Sequence, residues 1–407
     1  MTLLPQRLET GFVDMLSIQE KLDLTPTPDS LEPPKDNDYP EGGLQAWSVV
    51  LGAWCAMVPS MGLLNSLGIL HAWTSTHQLR DYSESSTGWI FGAYGFFLYL
   101  AGAQAEYYQI FLSFSVLGGL SACTLFTPAV SAVGHWFNVR RGWATGVACT
   151  AGGIGGVAFP LIIIFAAPKI GFGWAIRIIA FLCAVLCILA CVLLKTRLPP
   201  NKKAGASVDF RALKDIKYAS TTVAIFMVEF AVFIPITYIA SYGAYVGIED
   251  TMSYLLIPFL NIGAIPGRFL PGLIADRVGR FNVMVLTSLI CSILTLVLWL
   301  RAGNNLAAII CYAVLFGFWS GAAISLTPVC ISQVCATKDY GKRNGTTFTI
   351  VSIGTLVGIP IAGAIQERSD GEYGGLIVFG GVLYLSTTMA FILARGICVG
   401  WSLKTKF

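Results

Sequence analysis

What most limits the folds open to this chain is a recurrence. Runs of about 20 mostly apolar residues, the length a helix needs to cross a hydrocarbon core, return eleven times. They fall at 46–70, 88–104, 109–133, 143–167, 173–194, 219–246, 252–274, 282–300, 306–331, 345–366 and 375–398. Lipid offers no water to backbone N–H and C=O groups, so a spanning segment must satisfy them internally, as a helix does. An all-α membrane protein with about eleven transmembrane helices is the expected fold. Composition agrees: 55% of residues are hydrophobic and 12% charged, against roughly 25% charged in soluble domains.

An internal repeat divides these helices into two bundles. SACTLFTPAV around Thr127 and Pro128 is echoed by AAISLTPV around Thr327 and Pro328, 200 positions later. The next helix repeats the interval, from Pro160 to Pro360. Equal spacing over two helices is the mark of duplicated bundles. The starts of the halves break the register, since the first helix begins near Trp47 and its counterpart near Ser220, only 173 positions on. The loss can be placed: 52 positions separate Asp276 from Pro328, whereas 24 separate Gln104 from Pro128. The deficit, about 28 residues, is one loop plus one helix. The third helix is expected to be missing, with the break near Gln104–Glu106.

The expected organisation is a disordered tail over 1–44, a bundle of about five helices over 45–194, a cytoplasmic linker over 195–217, a bundle of six over 218–400 and a short tail over 401–407. Turn residues and acids dominate TPTPDSLEPPKDNDYP, and no cleavable signal peptide is expected. Basic residues follow the third helix (Arg140, Arg141), the fifth (Lys195, Arg197, Lys202, Lys203), the seventh (Arg277, Arg280), the ninth (Lys338, Lys342, Arg343) and the last (Lys404, Lys406). By the positive-inside rule these ends are cytoplasmic. Eleven spans then put the N-terminus outside; twelve would put it inside.

The net charge of +4 is spread between apolar runs and forms no basic face, so nucleic acid is not an expected partner. Cys183, Cys187 and Cys191 lie within one apolar helix, where cysteine acts as a small hydrophobe; neither disulfides nor a metal site are expected among the 11 cysteines. H-E-x-x-H, G-x-S-x-G and G-x-x-x-x-G-K-[ST] are absent from the sequence, so neither an enzyme nor an ATP-driven pump is expected, and no cofactor. His71, His77 and His135 stand near helix ends and read as interfacial. Asn344-Gly345-Thr346 matches a glycosylation acceptor, yet its basic neighbours place it inside, where it stays unmodified.

Between two apolar helices on the basic side stands GLIADRVGR, Gly272 to Arg280. It resembles the G-x-L-A-D-R-x-G-R signature of the major facilitator transporters. By that resemblance Asp276 latches helix ends in one state of an alternating-access cycle, with Arg277 and Arg280 as ionic neighbours and Gly272 and Gly279 permitting the tight turn. YPEGGLQAW, with Glu41, Gly42, Gly43 and Trp47, is similar to the acidic-Gly-Gly motif of the monocarboxylate porter family, particularly its fungal members. RRGWATG, with Arg141 and Gly146, is similar to that family's approach to its fifth helix. The plainer reading of Glu41 to Trp47 is a helix cap with an interfacial aromatic.

Ionisable groups in lipid are costly and usually face a cavity. Arg268, about 12 Å of helix rise before Asp276, reads as a carboxylate contact or as a side chain snorkelling to the interface; the family resemblance implies an arginine in the substrate path here. Glu229, before the helix-perturbing Pro235, reads as a proton carrier or as a protonated carboxyl bonded to a neighbouring helix. Asn65 offers a hydrogen bond to substrate or to another helix. TAGGIGG, Thr150 to Gly156, reads as close helix packing that also permits sliding. The chain departs from the family where animal members carry a lysine (here Asn65) and an acid (here Ala264), and it lacks the first-half D-R-x-G-R copy.

The expected function is secondary active transport of a small organic anion or secondary metabolite, possible directions being efflux or carboxylate or vitamin import, with a proton as possible coupled ion and the plasma membrane as host. The alternative is a truncated, transport-inactive product.

Overall fold

The structure, a computed structural model, describes residues 39–76, 118–195, 197 and 209–400. The expected helix 88–104, the start of 109–133, the break at Gln104–Glu106, His77, most of the linker, residues 1–38 of the first tail and the whole of the last tail lie outside the described residues.

Among the described residues the fold is all-α, with eleven helices: α1 (Leu44–Asn65), α2 (Leu67–Thr76), α3 (Gly119–Trp136), α4 (Arg141–Ile170), α5 (Phe172–Leu193), α6 (Ile216–Tyr245), α7 (Asp250–Val278), α8 (Arg280–Ala302), α9 (Leu306–Gln333), α10 (Tyr340–Arg368) and α11 (Gly374–Val399). All but α2 and α3 are long and apolar enough to cross a membrane. α5 shows what these sequences face: Trp174, Phe181, Val185, Ile188 and Val192 are exposed along it, an apolar surface that only lipid accommodates at such length.

Two departures from the expected helices matter for the site. The first run is not continuous, because α1 ends at Asn65, Ser66 interrupts it, and α2 follows. Ser66 turns its hydroxyl back onto the Gly62 carbonyl at 2.7 Å, and such back-bonding serves the backbone where the ladder is broken. α8 also carries a π-helical segment, Leu294–Trp299, which directs Thr295 and Trp299 into the interior.

The duplicated prolines occupy matching places, Pro128 in α3 and Pro328 in α9, Pro160 in α4 and Pro360 in α10. α4 lies between α1 and α7, and its small residues allow this. Gly155 abuts Gly62 of α1, and an added methyl at Gly155 would stand 2.6 Å from the Gly62 Cα. Backbones that meet so closely interlock through dispersion over a long seam, the means by which helices associate in lipid.

Candidate functional site: a gate and a central polar cluster

The first four N–H groups of a helix have no partner within it and carry partial positive charge. At α4 that need is met by a residue of the other half. The Asp276 carboxylate, near the end of α7, accepts from the Gly142 N–H at 3.0 Å and the Trp143 N–H at 2.9 Å. Arg280 donates to Asp276 at 3.2 Å and to the Asn138 carbonyl at 3.1 Å. Gly279, at φ 107°, makes the turn between α7 and α8 that brings the two side chains together. Gly272 lies against the Gly142 carbonyl. Arg277 is exposed. A polar cavity of about 390 Å³ opens beside this contact, lined by Asn138, Asp276, Arg277, Gly279, Arg280, Ser332 and Gln333.

Glu41 grips the same connection from its other side. Its carboxylate accepts from the Asn138 and Val139 amides at 2.7 Å each and from the Arg140 amide at 3.1 Å. The local backbone explains the motif: Glu41 sits at φ 48° and Gly43 at φ 86°, a left-handed sequence that glycine tolerates. Glu41 therefore does not cap the helix that follows it, where no side-chain cap is made. Trp47 meets Phe137 edge-on at 5.4 Å. Arg141 is buried, donating to the Phe137 and Gly134 carbonyls at 2.8 Å each, with its guanidinium 5.5 Å from the Tyr340 ring of the second half. Gly146 lies against the Arg268 carbonyl and Phe269 Cα.

Deeper in, polar side chains from α1 and α7 lie close to the backbone of α4, beside polar groups of α6 and α9. Arg268 is 1% exposed. It does not reach the interface but donates across the halves, from Nη1 to the Cys149 carbonyl at 2.7 Å. Ser325 of α9 donates to the Arg268 carbonyl at 3.0 Å. Asn65 is the last residue of α1 and not, as expected, deep in a continuous helix; its Nδ2 donates to Met61 O at 2.8 Å and Gly152 O at 3.0 Å. Both groups close on one glycine, since a methyl at Gly152 would strike the Arg268 guanidinium and come within 2.9 Å of Asn65 Nδ2. Glu229, 2% exposed, has one carboxyl oxygen without a hydrogen-bond partner; Thr327 and Arg268 are the groups acting on it.

Asn261 escaped the sequence reading. It is fully buried, and its Nδ2 donates to Ile257 O at 3.0 Å and to Asn65 O at 3.3 Å, a bond between halves. The signal was there: Asn261 precedes Arg268 by seven residues, two helical turns on one face. Ser325 and Thr327 were likewise visible in AAISLTPV but carried no charge to single them out.

At the end opposite the gate, α2 meets α6. Gly68 lies against the Ile236 carbonyl, and the His71 ring meets Tyr238 at 5.5 Å. His71 is fully buried, which corrects its reading as an interfacial residue; the break at Ser66 redirects α2 inward. Among the described residues no group of three His, Cys, Asp or Glu is placed to hold a metal.

Comparison with known proteins places these features. The Major Facilitator Superfamily model matches residues 85–359, more than half of the chain. MFS transporter asaE of Aspergillus flavus is 35% identical over 422 aligned positions, covering 94% of this chain and 95% of its own. Riboflavin transporter MCH5 of Saccharomyces cerevisiae is 34% identical, covering 89% of this chain and 80% of its own. The aspyridones efflux protein apdF of Emericella nidulans is 31% identical, covering 89% and 82%. The human organic anion transporter MFSD10 has the same fold, with a TM-score of 0.57 at 14% identity over 85% of this chain and 82% of its own. The Escherichia coli fucose:proton symporter FucP also shares it, at a TM-score of 0.54 and 14% identity over 86% and 94%. The helical architecture, the GLIADRVGR motif and these likenesses together show a multi-pass membrane transporter that belongs to the Major Facilitator Superfamily.

Proposed function

We propose that this transporter moves a small organic anion, or an anionic secondary metabolite, by alternating access about the central polar cluster. One observation carries the reading: Arg268, a buried cation on α7, reaches across to α4 of the other half. A site that alternates between two sides has to lie between the two halves, and a buried guanidinium held there is suited to an anionic substrate. Asn65 adds a hydrogen-bond donor and Glu229 the proton-carrying carboxyl that couples transport to a proton gradient. Asp276, with Gly272, Gly279 and Arg280, acts as the gate that parts when the basic end opens, and Glu41 holds that gate's first-half face in place. The acidic-Gly-Gly motif supports membership of the monocarboxylate porters.

Efflux is the direction favoured, since apdF is an efflux protein for a secondary metabolite, with the plasma membrane as the matching host. The relationship to a riboflavin transporter supports a second reading, import of a vitamin or carboxylate. Uptake and export assays on membrane vesicles, with a panel of carboxylates and metabolites and pH varied on each side, distinguish them. An absence of movement for every anion, with neutral compounds carried, overturns the anion reading.

A third reading, a truncated product without transport activity, rests on length. The alignment with asaE runs over 422 positions but covers 94% of this chain, about 383 of its 407 residues, so about 39 alignment positions face a gap in this chain. That number accommodates a loop and one helix of about 20 residues and supports the absence of the third helix. Genomic DNA between the codons of Gln104 and Ala105 tests the origin of the loss. In-frame codons for a D-R-x-G-like loop and an apolar run there mean exon loss; their absence means a protein built with one helix fewer.

A further inference from the structure

We infer that Asn261 is a substrate-contacting residue, whose free carboxamide oxygen reads a neutral hydrogen-bond donor on the same molecule whose acidic group Arg268 holds. This rests on the proposed anion site and narrows its substrate class to organic acids bearing a hydroxyl or amide N–H at a set distance from the acid.

The carboxamide is oriented by its surroundings. Two carbonyl oxygens, of Ile257 and Asn65, lie 3.0 and 3.3 Å from one of its terminal atoms, so that atom is the amide nitrogen and the other is the oxygen. The oxygen is then a buried acceptor with no donor. An acceptor left unsatisfied in the interior is costly, a cost that a functional site tolerates when a ligand supplies the missing donor. Asn261 is not isolated from the anion contact, because the two share one surface of α4. A methyl at Gly152 would strike the Arg268 guanidinium, and a methyl at Gly156 would strike the Asn261 carboxamide oxygen. These glycines stand one helical turn apart, about 6 Å, and with no side chain on either the two polar groups reach the α4 backbone side by side. Asn65, which donates to the Gly152 carbonyl and accepts from Asn261, ties the pair to α1. Simple short-chain monocarboxylates offer the acid alone; the geometry suits a larger molecule whose acid and donor are about 6 Å apart.

The test uses the detergent-solubilised full-length protein and two probes that differ only in the donor, δ-hydroxyvalerate and valerate, titrated against thermal unfolding. A single neutral hydrogen bond contributes about 0.5–1.5 kcal/mol, so wild type is expected to bind the hydroxy acid roughly 3- to 10-fold more tightly. Asn261→Ala should reduce that ratio to near one while still binding valerate; Asn261→Asp, which keeps an oxygen in place, should retain a preference for the hydroxy acid while weakening both anions. Arg268→Ala should lose both. Equal binding of the two acids by wild type, or a preference that survives Asn261→Ala, overturns the assignment of Asn261 and leaves the anion site standing. Binding of neither acid by wild type overturns the anion site itself, and Asn261 with it.

Discussion

Glu41 and Asp276 hold opposite ends of one short connection, Glu41 through the amides of Asn138, Val139 and Arg140 and Asp276 through those of Gly142 and Trp143. One carboxylate comes from the chain just before α1, the other from α7 of the second half. The first-half contact can persist throughout a transport cycle, while the contact between halves has to break whenever the basic end opens. On the proposed mechanism the same chemistry serves as an anchor on one side and a latch on the other.

Separating these roles is a matter of two substitutions. Glu41→Ala removes three charge-assisted bonds and should cost about 1–3 kcal/mol of stability, read as a lower midpoint of thermal unfolding with the distribution of open and closed forms unchanged. Asp276→Asn should cost less stability and instead favour the form open at the basic end. Site-resolved alkylation of Cys149, buried beside Arg268, reports that shift: the expected outcome is faster modification in Asp276→Asn and no change in rate for Glu41→Ala.

Arg268 should prove indispensable for anion transport. Removing a buried charge from a paired site costs about 2–5 kcal/mol, so Arg268→Ala should lower apparent affinity for an anionic substrate by at least tenfold at equal protein level. Arg268→Lys should recover only part, since a lysine lacks the planar fork. Unchanged uptake kinetics in Arg268→Ala would remove the residue from the substrate path.

Glu229→Gln mimics a permanently protonated carboxyl. If Glu229 carries the coupled proton, exchange of substrate down its own gradient continues in this variant while accumulation driven by a pH gradient disappears. Lowering external pH should stimulate wild-type uptake and leave the variant's rate flat. Stimulation by acid that is retained in the glutamine variant assigns the proton to another group.

Gly146→Val tests the close seam between α4 and α7. Its added carbons have only the Arg268 carbonyl and Phe269 backbone to enter, and overpacking of this kind typically costs about 1–3 kcal/mol. The expected result is failure to close the basic end, seen as Cys149 modification as fast as in Asp276→Asn; a rate equal to wild type would show that the seam yields without opening.

The helices were legible because lipid imposes one solution on any long apolar run, and the matched prolines, Pro128 with Pro328 and Pro160 with Pro360, betray duplication without any contact being known. Asp276 and Arg280 were legible through their motif. The break at Ser66 was not: a serine inside an apolar run is ordinary, and only the inward course of α2, with His71 against Tyr238, reveals it. Of the two readings of Glu41, family motif or helix cap, the cap fails, because its partners at Asn138 to Arg140 are nearly a hundred residues away. Asn261 was overlooked for a related reason. Its seven-residue spacing to Arg268 put the two on one face, but nothing in the sequence shows which buried amide oxygen is left without a donor.

α7 joins these strands. It carries Asn261, Arg268 and Asp276 on one helix, 15 residues or about 22 Å from first to last, with Pro266 and Pro271 between them, so the three groups proposed to read a hydroxyl, hold an acid and close one end share a single element. In the proposed cycle a ligand that shifts the middle of that helix also shifts its end. On the proposed mechanism selectivity and gating share this one element, and an evolutionary change of cargo along α7 would also retune how readily the basic end opens.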